Sequence, residues 1–163
     1  MKKILSLAMM ALMITLFTNR ASAHCEVPCG IYDDELRIAM LYEDFLTIEK
    51  AMNQITEIEA SDSPNFNQLV RWINTKEEHA NKVQHIVSQY FITQRIKVPE
   101  ETSGPVYEKY TKQLALLHQL IVYSMKAKQT TDLEYIAKLR TTLAAFEEVY
   151  FEGKHRHKIE HHD

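Results

Sequence analysis

The fold is indicated most clearly by residues 41–58, LYEDFLTIEKAMNQITEI, in which large apolar residues recur at steps of three and four. They are Leu41, Phe45, Ile48, Met52, Ile55 and Ile58. This spacing places an apolar stripe along one face of an α-helix, while charged residues occupy the opposite face. We therefore predict an amphipathic helix over residues 33–60.

Three further apolar stripes follow this one along the chain. The second extends from Phe66 to Phe91, the third from Tyr107 to Met125, and the fourth from Ile136 to Tyr150. The sequence contains only three glycines, no internal repeat and no strand-length alternation of apolar and polar residues. Four amphipathic helices with modest connections favour an all-α fold, an antiparallel four-helix bundle over residues 33–152.

The boundaries between these helices carry recognisable signals. Ser61-Asp62-Ser63-Pro64 ends the first helix, and we expect Ser63 to cap the second helix and Pro64 to be its first residue. Thr93 to Pro105 is predicted to be a long connection. Thr131-Asp132-Leu133-Glu134 has the pattern of a capping box, which predicts the start of the fourth helix.

The first 23 residues have the pattern of a secretory signal peptide. Lys2 and Lys3 precede an apolar run, residues 4–17, and Ala21-Ser22-Ala23 is a typical cleavage site. A run of 14 residues is shorter than the ~20 that a spanning helix needs, which disfavours the alternative of a membrane anchor. We predict cleavage after Ala23, a mature chain that begins with His24, and an exported, periplasmic or extracellular protein without a membrane segment.

Charge and length limit what the mature chain can be. Cleavage leaves 140 of the 163 residues, enough for one domain. The removed segment contains three basic residues and no acidic one, so the formal charge changes from −3 to −6. An acidic chain without a basic face is not expected to bind nucleic acid.

The histidines of the bundle do not predict a metal site in its core. Helical di-iron bundles use Glu-x-x-His pairs, and none of His79, His85 and His118 follows a glutamate by three positions. We expect His118 to be half buried and the other two to lie at the surface. Phosphate loops, haem attachment sites and nucleophile elbows are also absent from the sequence.

Residues 24–32, HCEVPCGIY, concentrate metal donors at the predicted mature N-terminus. A free amine on His24 and the amide nitrogen of Cys25 can close one five-membered chelate ring, and that amide and the Cys25 sulfur can close a second. Cys29 can return through a short turn to supply another sulfur. Planar coordination by two nitrogens and two sulfurs suits nickel(II) or copper(II), whereas zinc prefers a tetrahedron. The His24 imidazole remains available as an axial ligand, and such strong donors favour a one-electron cycle.

The same nine residues closely resemble the N-terminal hook, HCxxPCGxY, of the nickel-containing superoxide dismutases. Weaker similarity at Tyr90-Phe91 and at Leu117-His118-Gln119-Leu120 extends the resemblance over most of the mature chain. The resemblance implies a four-helix bundle that assembles as a homohexamer with one nickel ion per subunit. It also implies that superoxide is converted to oxygen and hydrogen peroxide by Ni(II)/Ni(III) cycling.

The resemblance further assigns roles to individual residues. It implies that His24, Cys25 and Cys29 are metal ligands through the amine and imidazole, the amide and thiolate, and the second thiolate, respectively. Tyr32 completes the catalytic set as the tyrosine that lines the substrate approach. Tyr90 corresponds to a second tyrosine near the metal.

Two other positions of the hook can also be compared with the family. Pro28 corresponds to the cis-proline that turns the family's hook, and Glu26 stands where an aspartate is frequent. Because superoxide is an anion, we expect a positive residue near the hook to attract it, with Arg71 and Lys112 as candidates. One departure is that the family commonly has a short leader, whereas this chain carries a secretory signal.

The C-terminal segment, residues 153–163, is rich in histidine. It contains His155, His157, His161 and His162. Histidine-rich ends can bind nickel, zinc or copper, so one hypothesis is a tail that gathers metal for the hook. The alternative is a solvated terminus without a function.

Three hypotheses of different classes remain at this point. The first, which the hook favours, is a nickel superoxide dismutase. The second is an exported protein that binds or delivers metal through the same hook without turnover. The third is a structural helical bundle in which export allows Cys25 and Cys29 to form a disulfide.

Overall fold

The structure, a computed structural model, describes residues 28–153 of the 163-residue chain. The predicted signal peptide, residues 24–27 of the hook and residues 154–163 of the tail lie outside this range. The described elements are helical: α1 (Asp34–Glu59), α2 (Phe66–His85), a π-helical segment (Ile86–Arg95), α3 (Pro105–Lys128) and α4 (Glu134–Phe151). Among these, no helix has the length and apolar character needed to cross a lipid bilayer.

The four helices pack as an antiparallel bundle, which confirms the predicted fold. Each helix contacts the next one along the chain, and α1 also contacts α4, so that the four surround a common core. The apolar stripes face this core. Among its fully buried side chains are Leu41, Phe45, Ile48, Met52, Phe91, Leu117, Leu120, Ile136, Leu139, Leu143 and Phe146.

Two helix starts differ from their predictions. The cap of α2 is Asn65, whose side-chain oxygen accepts a hydrogen bond of 3.2 Å from the Gln68 amide, so α2 begins after the predicted Ser63 and Pro64. Asparagine caps a helix as well as serine does. The predicted capping box does not form at α4. Instead, the Asp132 carboxylate accepts a hydrogen bond of 2.9 Å from the Glu134 amide, a local bond that competes with the box.

The end of the second helical region contains a feature that the apolar stripe did not predict. From Ile86 to Arg95 the chain is π-helical, and the Ile96 amide donates to the Phe91 carbonyl, five residues earlier, at 2.9 Å. In an α-helix, residues five positions apart differ by about 140° around the axis. In a π-helix they lie nearly above one another. The π-helical segment therefore brings Tyr90 and Arg95 to the same side.

The histidine predictions are confirmed only in part. His85 is exposed as expected, but His118 is exposed rather than half buried, because it faces away from the core beside buried Leu117. His79 is half buried, and its Nδ1 lies 2.7 Å from Oδ1 of buried Asp44 on α1. Within residues 28–153, no group of three or more histidine, cysteine, aspartate or glutamate side chains could hold a metal ion.

Replacing Phe91 by alanine tests the aromatic end of the core. We expect Phe91→Ala to lower the free energy of unfolding by about 3–5 kcal/mol, because its fully buried ring would leave a cavity. Phe66→Ala is the matched control, since the ring of Phe66 is 70% exposed. Urea denaturation measures both values, and equal losses in the two variants would contradict the assignment of Phe91 to the core.

Candidate metal centre and its supporting cluster

A tight turn joins the described end of the hook to the bundle. The Ile31 amide donates a hydrogen bond of 2.7 Å to the Pro28 carbonyl, and Gly30, the third residue of the turn, has a φ of 80°. A positive φ at this position is characteristic of a type II turn and favours glycine. The turn leaves Cys29 exposed and leads the chain directly to Tyr32.

Cys29 is the one predicted nickel ligand within the described residues. Its side chain belongs to a disulfide in the structure. A cysteine binds metal as the thiolate, so this bond must be reduced before Cys29 can act as a ligand. The other two predicted ligands, His24 and Cys25, lie outside the described residues, and the arrangement of the three donors stays a prediction.

Tyr32 lies against two residues of the π-helical segment. Its ring packs edge-on against the Tyr90 ring, with centroids 5.8 Å apart, and the Arg95 guanidinium carbon lies 4.4 Å from the Tyr32 ring centroid. Edge-to-face rings and a cation over a ring face are both favourable arrangements. Tyr32 keeps 37% of its surface exposed. The structure thus brings together the two tyrosines identified by the resemblance and leaves one of them accessible.

A single carboxylate anchors the residues behind Tyr32. Oδ1 of Asp34 accepts hydrogen bonds from the Tyr90 hydroxyl at 2.6 Å and from Nε of Arg95 at 2.8 Å. Oδ2 accepts bonds from Nη2 of Arg95 at 2.7 Å and from the Tyr150 hydroxyl at 2.9 Å. We call Asp34, Tyr90, Arg95 and Tyr150 the Asp34 cluster. It ties the start of α1 to the π-helical segment and to the end of α4.

The charges of the Asp34 cluster determine its protonation. Burial alone would raise the pKa of Asp34, but the hydrogen bonds from Arg95, Tyr90 and Tyr150 outweigh burial and lower it. Burial, followed by the bond to the Asp34 carboxylate, raises the pKa of Tyr90 well above its usual range and that of Tyr150 to about 12. At neutral pH both phenols therefore keep their protons and act as donors.

Aromatic rings support the cluster from the core. Buried Phe91 makes edge-on contacts with Tyr90 at 5.0 Å, with Phe146 at 5.2 Å and with Tyr150 at 5.7 Å between ring centroids. Phe146 and Tyr150 stack at 5.1 Å. Because these rings restrict the two phenols, the cluster rests on packed side chains rather than on a mobile loop.

No pattern in the sequence indicated the partners of the Asp34 carboxylate. Arg95 fell in the predicted connection, and Tyr150 was assigned only to the apolar stripe of the fourth helix. The predicted positive residues, Arg71 and Lys112, are exposed, and within residues 28–153 neither has a ring contact or hydrogen bond with Tyr32. The i, i+5 spacing of Tyr90 and Arg95 becomes informative only once the π-helical segment is known.

The pH dependence of the unfolding free energy of Asp34→Asn tests the role of the Asp34 charge in the cluster. We expect the variant to lose about 2 kcal/mol of unfolding free energy at pH 7, a value between those of exposed and buried ion pairs, because the Asp34 and Arg95 side chains are 16% and 27% exposed. Because the folded-state pKa of Asp34 is lowered, its contribution is present above the ordinary value of 3.8 and is lost as pH falls through the folded-state pKa. The deficit of the variant should therefore shrink in that acidic range.

Glu134→Gln is the matched control for this experiment. Glu134 also begins a helix and pairs with a lysine, but its side chain is 60% exposed, so little change is expected at any pH. Urea denaturation at a series of pH values measures both variants. A deficit in Asp34→Asn that stays constant down to the most acidic pH would contradict the role of the Asp34 charge.

Comparison with known proteins bears directly on this arrangement. Residues 19–154 match the family model described as nickel-containing superoxide dismutase. The match covers most of the chain, including the whole hook and all four helices. No match was found among curated proteins or among solved structures. The family match and the four-helix bundle agree, and the chain belongs to the nickel-containing superoxide dismutase family, whose members are oxidoreductases.

Proposed function

We propose that the mature protein begins at His24 and holds one nickel ion per subunit through the His24 amine and imidazole, the Cys25 amide and thiolate, and the Cys29 thiolate. A donor set of two nitrogens and two thiolates would suit nickel(II). Nickel, when bound, supplies one-electron exchange with superoxide by Ni(II)/Ni(III) cycling. The placement of Tyr32 against Tyr90 and Arg95, three residues after exposed Cys29, is the observation that carries this proposal.

The residues around the hook would control the approach of superoxide. Tyr32 is the accessible member of the tyrosine pair, so it is the phenol that can contact a small substrate. The Tyr90 hydroxyl donates a hydrogen bond to Asp34 and, because the pKa of Tyr90 is raised, keeps its proton at neutral pH. Tyr90 is therefore a positioning residue.

Arg95 places a positively charged group against the Tyr32 ring, where it would favour an anionic substrate. Its guanidinium lies over the Tyr32 ring and stays protonated, because its bond to Asp34 raises its pKa further. Asp34 balances part of this charge, but the guanidinium lies between the carboxylate and Tyr32 as a fixed local dipole. A local field of this kind can raise the association rate of an anion even in an acidic protein.

The compartment and the assembly are also part of the proposal. The signal-peptide pattern supports export to the periplasm or the extracellular space, with cleavage exposing the His24 amine. The resemblance of the hook supports a homohexamer.

The disulfide at Cys29 favours one alternative, a structural protein without metal. In that case the cysteines would stay oxidised in the mature protein, and added nickel would not be retained. A protein that only binds or delivers metal would retain nickel without accelerating superoxide loss. The three possibilities therefore differ in thiol state, metal content and activity.

A one-residue extension tests the proposed nickel site. We expect a chain that begins at His24, once reduced and given nickel, to retain one nickel ion and to accelerate superoxide loss. A chain with one additional alanine before His24 should lose both properties, because its amine is displaced from the chelate ring. Cys29→Ser should fail in the same way.

Three measurements read out this experiment: mass spectrometry for the thiols, elemental analysis for nickel, and pulse radiolysis for superoxide. Equal activity of the extended chain would contradict the role of the His24 amine. Nickel retention without activity would favour metal delivery. A mature protein that keeps its disulfide and binds no nickel would favour the structural alternative.

Arg95→Gln tests electrostatic attraction of superoxide. We expect kcat/KM to fall about threefold to tenfold and to become less sensitive to salt, because a charge near the substrate approach is removed. Lys112→Gln removes an equal charge from an exposed site without contact to Tyr32, and it should leave both quantities nearly unchanged. Nickel content must match in all samples. An unchanged salt dependence in Arg95→Gln would contradict the proposed steering role.

A further inference from the structure

A cavity outside the proposed metal site shares residues with the Asp34 cluster but not with the hook. It is a cleft of about 550 Å³ between the chain that leaves the π-helical segment and helices α3 and α4. Asp34, Arg95 and Tyr150 form part of its wall, whereas Tyr32 and Tyr90 do not line it. Its volume lies within the range of pockets that bind small molecules. We call it the α3–α4 cleft.

A buried amide without a partner lines this cleft. Gln113 on α3 is only 7% exposed, yet its side chain makes no hydrogen bond with any of residues 28–153. Its side-chain oxygen and nitrogen both keep a small solvent-accessible surface. Water can occupy their hydrogen-bonding positions until another molecule displaces it. The Gln113 amide is therefore available to a molecule in the cleft.

The charges of the cleft favour an anion. Lys97 is exposed and makes no ion pair within the described part of the chain. Lys109 pairs with Glu152 at 2.6 Å, at the exposed edge of the cleft. Arg95 is already held by both oxygens of Asp34. Because the other charged groups are paired, the charge of Lys97 makes the lining of the cleft positive.

The remaining walls are apolar or aromatic. They consist of Ile96, Pro99, Val106, Tyr110, Tyr150 and Phe151. Such walls would bind a flat apolar body by excluding water from it, whereas a free inorganic anion would gain little from them.

We propose that the α3–α4 cleft binds a small organic anion, an aromatic carboxylate, with its carboxylate close to Lys97 and the Gln113 amide and its ring against the aromatic wall. The Gln113 nitrogen would donate to a carboxylate oxygen, and Lys97 would supply the opposite charge. This site is separate from the proposed nickel ligands and does not depend on the proposed catalytic function.

Benzoate is a suitable probe of this proposal, measured by NMR titration of the isotope-labelled mature protein. We expect saturable binding of one benzoate per chain, with shifts at residues that line the cleft. Benzamide, which keeps the ring but not the charge, and acetate, which keeps the charge but not the ring, should each bind at least about tenfold more weakly.

Two variants locate the binding. Gln113→Leu should weaken benzoate about tenfold, because a hydrogen bond to a charged group is lost. Its melting temperature should stay equal or rise, since the free protein loses no hydrogen bond, so weaker binding cannot be ascribed to unfolding. Lys112→Gln, on the same helix and outside the cleft, is the matched control and should bind benzoate as the unmodified protein does.

Several outcomes would overturn the proposal. Absence of saturable benzoate binding would show that the cleft is not a ligand site in the mature protein, for example because a second copy of the chain fills it. Equal affinities for benzamide and benzoate would show that the negative charge does not contribute to binding. Undiminished binding to Gln113→Leu would show that the amide does not contact the ligand.

Discussion

The carboxylate of Asp34 is the constraint on which the functional end of this bundle depends. It begins α1, and it accepts hydrogen bonds from the π-helical segment and from the end of α4. These elements are far apart in sequence and meet at one charged group. Because a partly buried carboxylate without donors is costly, the three donors together stabilise the charge of Asp34 at this position. The position of Tyr32 follows from this network, because the two residues that contact the Tyr32 ring, Tyr90 and Arg95, both belong to the network.

The π-helical segment is what allows Tyr90 and Arg95 to act on the same carboxylate. In an α-helix these two side chains would point in different directions, and one of them would lose its hydrogen bond to Asp34. Buried Phe91 packs this segment against α4 through edge-on contacts with Phe146 and Tyr150. Irregular helical geometry is frequently found at functional sites, and here its effect is to align a phenol with a guanidinium.

Metal binding and substrate approach have different structural origins in the proposed enzyme. The proposed donors to nickel lie within residues 24–29, so their chelate chemistry would need only a free terminus, reduced thiols and a turn. The surroundings of Tyr32 need the folded bundle, because they are built from α1, the π-helical segment and α4. The same separation explains why the α3–α4 cleft can share Arg95 with the Asp34 cluster without including the hook.

The sequence by itself determined the helical periodicity and the bundle, because the local spacing of apolar residues encodes both, and it supplied the HCEVPCGIY motif on which the proposed nickel site rests. Apolar residues three and four apart define a helix face, and donors one to four residues apart define a chelate. Only the tertiary structure decided that Arg95, rather than Arg71 or Lys112, lies over Tyr32, and that Asp34 and Tyr150 lie behind it. Those contacts join positions more than 50 residues apart and depend on a π-helical register that no local pattern encodes. The exposed position of His118 and the Asp44 partner of His79 were missed for the same reason, since burial depends on which helix packs opposite.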